Sequence, residues 1–187
     1  MRCLLCWRFS WSHICKECRR SYLRPKIRTR KLESGFEVVS FYGYKEIEDL
    51  LLSKYHYIGA KIYAILAKEA LRPFARALEL WAWVIPIDDR VDPYYSHTAI
   101  LAKGMATKTL RPKYGQLRAK NRVRYSGMSL EFRKSHPRDF VYKGRSGDLI
   151  LVDDIITTGL TIQEAVKAAQ TRGANPLFGV VLADARY

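Results

Sequence analysis

Leu149-Ile150-Leu151-Val152-Asp153-Asp154-Ile155-Ile156-Thr157-Thr158-Gly159-Leu160-Thr161 decides how the rest of this chain is read. Four branched apolar residues in a row suit a strand buried on both faces, the kind that parallel sheets contain. Two carboxylates follow, then two more apolar residues and a Thr-Thr-Gly-Leu-Thr turn. Beyond the turn, Ile162, Ala165, Val166 and Ala169 recur at helical spacing, and Gly173 ends the helix. The order strand, polar turn, helix sets the polar residues at a strand's carboxyl end, where open α/β sheets bind ligands. A turn that opens a helix offers an anion free N–H groups and the positive end of the dipole. Thr157, Thr158, Gly159, Leu160 and Thr161 therefore read as a monophosphate cradle, with Gly159 letting the backbone come close. Asp153 and Asp154 can each accept from one of two vicinal hydroxyls. A phosphate beside a diol is a ribose 5-phosphate. A lone Asp-Asp would read as a solvated turn; the thirteen-residue pattern favours the ligand site.

The chain has 187 residues, 48% of them hydrophobic, enough for one core-forming domain and a small appendage. Its longest apolar runs, Trp81–Ile87 and Phe178–Ala183, are too short to span a membrane. The N-terminus lacks the continuous apolar stretch of a signal peptide, so a cytoplasmic location is expected. The net charge of +15, from 33 basic and 18 acidic residues, calls for a polyanionic partner: nucleic acid or a heavily phosphorylated ligand.

All four cysteines lie before residue 19, as Cys3-x-x-Cys6 and Cys15-x-x-Cys18. Two such knuckles can aim four thiolates at one ion, the tetrahedral geometry of structural zinc. A redox dithiol would use one such pair on a βαβ unit; His13 replacing a cysteine stays open. A segment this short has no core of its own, so the metal would supply its folding energy. Residues 19–31 hold seven basic residues and no acid: Arg19, Arg20, Arg24, Lys26, Arg28, Arg30 and Lys31. With Trp7, Trp11 and Tyr22 nearby, they combine cations for a backbone with rings for bases, as single-strand binding surfaces do.

The pattern predicts a strand at 36–42, helices at 45–54 and 60–71 (the latter stopping before Pro73), and a buried strand at 80–87. A polar loop from Asp88 to His97 leads into a helix at about 97–108, and a last strand covers 177–183. Residues 103–145 carry thirteen Lys and Arg against two acids and read as a long basic hood over the active face. Residues 1–35 are expected to form the zinc segment with its basic arm, and 36–187 the main domain.

The apolar strand, Asp153-Asp154 and Thr157-Thr158-Gly159-Leu160-Thr161 resemble the phosphoribosyl-pyrophosphate (PRPP) signature of the type I phosphoribosyltransferases. Further features appear in order. They are the double CxxC, Tyr42-Gly43-Tyr44 ahead of Lys54-Tyr55, Val84-Ile85-Pro86-Ile87, and a basic stretch with Gln116, Asn121 and Arg122. Together they resemble the ComF family, linked to DNA uptake in natural transformation. Where that family commonly shows Arg-Gly-Phe-Asn-Gln, this chain has Asp92-Pro93-Tyr94-Tyr95-Ser96-His97. The resemblance implies an α/β fold, with a type I phosphoribosyltransferase-like parallel sheet flanked by helices and a zinc-ribbon-like N-terminal segment. It also implies a cytoplasmic protein that handles single-stranded DNA, binds PRPP with Mg²⁺, and is associated with helicase and DNA-processing partners. In a transfer from PRPP, Asp153 and Asp154 would be catalytic, holding the ribose hydroxyls and stabilising positive charge. Lys54, Arg90, Arg122 and Mg²⁺ would assist departure of pyrophosphate, and Arg90, Ser96 and the helix start at His97 are candidate contacts after the second strand.

Overall fold

The computed structural model describes residues 1–91, 94–121 and 130–187. The main sheet runs β1 (Arg28–Lys31), β2 (Glu37–Ser40), β9 (Ala174–Asp184), β8 (Gly147–Ile156), β4 (Ala82–Pro86), β5 (Leu110–Pro112) in space. Every neighbouring pair is parallel except β1–β2, an antiparallel hairpin. A short β3 (Tyr42–Gly43) follows β2 onto the end of β9.

Alternation along the central strands divides the core between two faces. Ile150, Val152, Val180, Leu182 and Val84 face one side, toward α3 (Gly59–Leu66) and α5 (His97–Gly104). Leu149, Leu151, Val181 and Ile85 face the other, toward α7 (Leu160–Gln170). Both faces are covered, which is why β8 reads as a continuous apolar run rather than an alternating one.

Three expectations change. The helix expected to stop before Pro73 continues as α4 (Arg72–Ala77). Residues Ala67–Leu71 form a π turn, and Arg72 N–H donates to Ala67 O, so the widened turn takes Pro73 into the first positions of the next helix. The last strand begins at Ala174, ahead of its expected start at 177. Its register with β8 shifts between Leu149 and Ile150, the irregularity at which Pro176 is accommodated.

The third change concerns the basic stretch 103–145. β5 joins the main sheet, and β6 (Leu117–Ala119) pairs with β7 (Phe140–Tyr142) in a two-stranded sheet. Leu117, Ala119, Phe140 and Tyr142 are buried against α7 and the second face of the core. Their shortness and the charged residues around them hide these strands from a composition reading. A short helix, α6 (Leu130–Ser135), follows residues 122–129, which are outside the described residues, as are Asp92 and Pro93.

The cysteine segment is packed onto the same body. Cys3, Ile14, Cys18 and Leu23 join the first face of the core, and Arg19 pairs with Glu69 at 3.3 Å. The expected basic arm is divided: its end, Arg28–Lys31, is β1 of the sheet. Among the described residues, no helix is long and apolar enough to cross a membrane.

Candidate functional site

β8 carries Asp153 and Asp154 to the carboxyl edge of the sheet, inside the strand rather than in the turn. Asp154 is buried, and its Oδ2 gathers three groups from separate elements: Lys54 Nζ at 2.7 Å, the Tyr63 hydroxyl at 3.2 Å and His97 Nε2 at 3.6 Å. Asp153 Oδ1 accepts the N–H of Asp154 at 2.8 Å, which turns its carboxylate back toward its neighbour. His97, Asp153 and Asp154 thus bring one ligand atom each within 4.8 Å of one another.

Such crowding separates the two acids. Burial would raise Asp154, but Lys54 and then His97 outweigh it and hold the carboxyl well below its ordinary value. Burial and the adjacent Asp154 charge push Asp153 up to about 8. Burial disfavours the Lys54 cation, yet Asp154 more than compensates and raises it to about 12. Burial lowers His97, against the pull of Asp154. Near neutral pH the pair offers one charged acceptor and one protonated carboxyl, a donor–acceptor set that suits a diol.

The phosphate-loop residues follow directly. Thr157 and Thr158 are exposed, while Leu160 and Thr161 open α7 and are half-buried. Gly159 sits at φ +87°, and a Cβ there would come within 2.7 Å of Leu32 Cδ2, so both backbone angle and space require glycine. Beneath the loop, buried Arg30 donates from Nη1 to Thr157 O at 2.7 Å and to Asp184 Oδ1 at 3.1 Å.

The loop after β4 is organised differently from the expectation. Arg90 forms an ion pair with Asp88 (Nε to Oδ1, 3.4 Å) and donates from Nη2 to the carbonyl of Ala119, so its guanidinium ties down the β6–β7 sheet. Asp88, at φ +48°, also accepts Ala119 N–H at 3.3 Å and lies 3.9 Å from Arg138 Nη1. Ser96 caps α5 by accepting from Ala99 N at 3.1 Å. Arg122 lies outside the described residues. The structure therefore brings Lys54, Asp153, Asp154 and the 157–161 loop to one edge and turns Arg90 into the fold. Tyr63, Asp88, Arg138 and the Arg30–Asp184 pair are not legible as site residues in the sequence. Tyr63 reads as one more apolar position of a helix, and the others depend on long-range pairing.

At the N-terminus the four cysteines are free thiols whose Sγ atoms lie within 4.8 Å of one another, with Cys6 and Cys15 3.7 Å apart. Zn–S bonds of about 2.3 Å in a tetrahedron require S···S spacings of about 3.8 Å, which the Cys6–Cys15 pair meets and from which the other sulfurs stand at most about 1 Å, so the four thiols could hold one zinc ion. Burial would raise Cys3, but N–H donation, led by Cys15, lowers it to about 6; burial pushes Cys18 up. His13 is not part of the cluster.

The expected nucleic-acid residues part company. Trp7 and Trp11 are 69% and 91% exposed, with Phe9 edge-on to Trp11 at 5.5 Å. Arg20, Arg24, Lys26 and Lys31 are exposed. Arg19 is paired with Glu69, and Arg28 is held by Glu46 at 3.2 Å over the Tyr187 ring. Arg30 is buried under the phosphate loop, where no DNA strand reaches it, because Asp184 draws it inward. A cavity of about 710 Å³ lies elsewhere, between residues 33–37 and α7.

No protein-family model matches the chain, and no curated protein matches it. Among solved structures, it is similar to orotate phosphoribosyltransferase from Aeropyrum pernix (TM-score 0.41, 17% identity, covering 90% of this chain and 80% of that one). It is also similar to Mycobacterium tuberculosis H37Rv orotate phosphoribosyltransferase in complex with Fe(III) dicitrate (0.43, 16%, 90% and 82%). A third is an adenine phosphoribosyltransferase (0.42, 13%, 89% and 88%).

Proposed function

We propose that the chain binds PRPP with Mg²⁺ at the carboxyl edge of its sheet, as a protein of natural transformation that also holds single-stranded DNA in the cytoplasm. One observation carries the ligand assignment: Asp153 and Asp154 lie near the end of β8, two residues ahead of the Thr157–Thr161 segment that opens α7. Loop and helix dipole suit the 5-phosphate, and the carboxylates suit the two ribose hydroxyls. Mg²⁺ would take its oxygens mainly from PRPP and water, beside the carboxylates, and would neutralise the pyrophosphate. Asp154 already holds Lys54, so ligand hydroxyls share or displace that cation as they bind.

In a phosphoribosyl transfer the ionised Asp154 stabilises positive charge at the ribose as pyrophosphate leaves. Arg90, engaged with Asp88 and Ala119, contributes to that departure only if the β6–β7 sheet moves. The site as built thus favours PRPP as a ligand over rapid turnover. The same site is compatible with nucleotide salvage; what favours DNA handling is that Trp7, Phe9 and Trp11, and Arg20 and Arg24 a few residues on in sequence, are all exposed on the cysteine-bearing segment. Helicase or other DNA-processing partners fit that role.

Calorimetric titration with Mg²⁺-PRPP tests the reading. One saturable site is expected, with no heat from a folded Asp154→Ala variant. Undiminished affinity in that variant would remove the carboxylates from the site.

A further inference from the structure

Arg30 is expected from its basic neighbourhood on a DNA-binding arm, yet it lies beneath the phosphate loop with only 8% of its surface exposed. Its Nη1 bonds the carbonyl of Thr157 at 2.7 Å, across 127 residues of sequence, and Asp184 anchors the guanidinium from the other side at 3.1 Å. Asp184 is fully buried at the end of β9 and also accepts Arg186 N–H at 2.9 Å. Among the described residues, Arg30 Nε and Asp184 Oδ2 have no hydrogen-bond partner. A buried pair with unsatisfied atoms is a costly way to stabilise a sheet edge, and apolar side chains would serve that purpose better.

The geometry points to Arg30 as a positioning residue for the phosphate cradle, a role that rests on the ribose 5-phosphate reading above. A trans peptide holds its C=O and N–H antiparallel. Pinning Thr157 O toward Arg30 therefore aims the N–H of Thr158 the opposite way, out of the loop and toward the anion. The residue after β1 acts on the same loop: Leu32 packs where a Cβ at 159 would stand. The hairpin strand β1 is thus the floor that sets the orientation of the loop's donors. Asp184 holds the guanidinium in place, so the aligned donor is present before the ligand arrives.

The test compares the full chain with Asp184→Asn and Arg30→Met/Asp184→Asn. The double variant removes the donor to Thr157 without leaving a buried carboxylate unpaired. Circular dichroism checks folding, and ¹H–¹⁵N correlation spectra follow the Thr158 amide during titration with ribose 5-phosphate. The wild type and Asp184→Asn, whose amide oxygen can still accept from Arg30 Nη1, are expected to bind within about threefold of each other, with a downfield Thr158 shift. The double variant is expected to bind about tenfold more weakly, the loss of one aligned charge-assisted donor, and to lose that shift. Wild-type binding matched by the double variant, with the same amide shift, overturns the inference alone. Equal weakening in both variants also overturns it, showing a purely structural pair. A wild-type chain that takes up no ribose 5-phosphate overturns the ligand reading and this inference with it.

Discussion

Lys54 Nζ lies 2.7 Å from Asp154 Oδ2, an ion pair formed across 100 residues of sequence, with side chains 20% and 8% exposed. The carboxylate proposed to accept a ribose hydroxyl is therefore already engaged in the free protein. Tyr63 and His97 press on the same oxygen, so the free site is an organised network rather than an open cavity. Ligand binding at this edge is an exchange of partners on Asp154.

Removing the cation tests this network. Lys54→Met leaves Asp154 buried without its main partner, and a loss of about 3 kcal/mol at pH 7 is expected. The pH sign follows from Asp154, whose folded pKa is depressed from an ordinary 3.8. Its contribution is fully present above that value and is lost as pH falls through the depressed one. The gap in melting temperature between wild type and variant should be full at pH 7 and narrow below about pH 4. A gap independent of pH would mean that Lys54 acts by packing alone.

Asp153 behaves in the opposite sense. Its folded pKa is raised to about 8, so the folded chain keeps a proton that the unfolded chain gives up near 3.8. Wild-type stability falls as pH rises between those values, and Asp153→Asn does not titrate. The variant should therefore be the more stable protein near pH 8, its advantage growing from about pH 4 and levelling above pH 8. It should bind PRPP more weakly, because an amide cannot give up a proton to become a second charged acceptor for a ribose hydroxyl. Thermal melts across pH, paired with titrations, read both effects; a variant less stable at pH 8 would refute the strain assigned to Asp153.

Much of this arrangement is legible from local pattern. The buried strand, the Asp-Asp pair, the glycine at φ +87° and the amphipathic α7 all lie within Leu149–Gln170, where spacing alone sets strand against helix. The paired CxxC knuckles are legible for the same reason. Arg30 misleads because a basic neighbourhood says nothing about which residue faces inward; a partner in the last strand decides it. β5, β6 and β7 escape a sequence reading because strands of three residues, Leu-Arg-Pro, Leu-Arg-Ala and Phe-Val-Tyr, carry too little periodicity beside so many charges. Pro73 reads as a stop because a π turn has no sequence signature that outweighs proline.

Metal removal should affect more than the first eighteen residues. Cys3 and Cys18 belong to the same buried cluster as Ile62, Leu66 and Leu71. A chelator that strips zinc is expected to release residues 1–18 and to lower the melting temperature of the whole chain, by uncovering that face of the core. Elemental analysis of protein purified without oxygen should find about one zinc per chain, as expected of four clustered thiols. Protein carrying no zinc, with unchanged melting after chelation, would count against the metal assignment.

The exposed rings allow the proposed DNA surface to be tested apart from the proposed ligand site. Trp11 is 91% exposed, and neither it nor Trp7 belongs to the packed core, so truncation leaves folding intact. Stacking of a base on such a ring contributes roughly 1–3 kcal/mol, so Trp11→Ala should weaken single-stranded DNA binding by about tenfold. Replacing Arg20 or Arg24 by Ala should instead act on the salt dependence, lowering the slope of log affinity against log salt by about 0.7 for each phosphate that is no longer neutralised. PRPP affinity should be unchanged in all three variants, since these side chains stand on the cysteine-bearing end and not at Asp154. Tryptophan fluorescence gives the decisive readout: quenching by an oligonucleotide, reduced in Trp11→Ala and indifferent to PRPP, places the strand on this surface. Unchanged DNA affinity in Trp11→Ala, together with displacement of DNA by PRPP, would instead move the strand to the carboxylate edge.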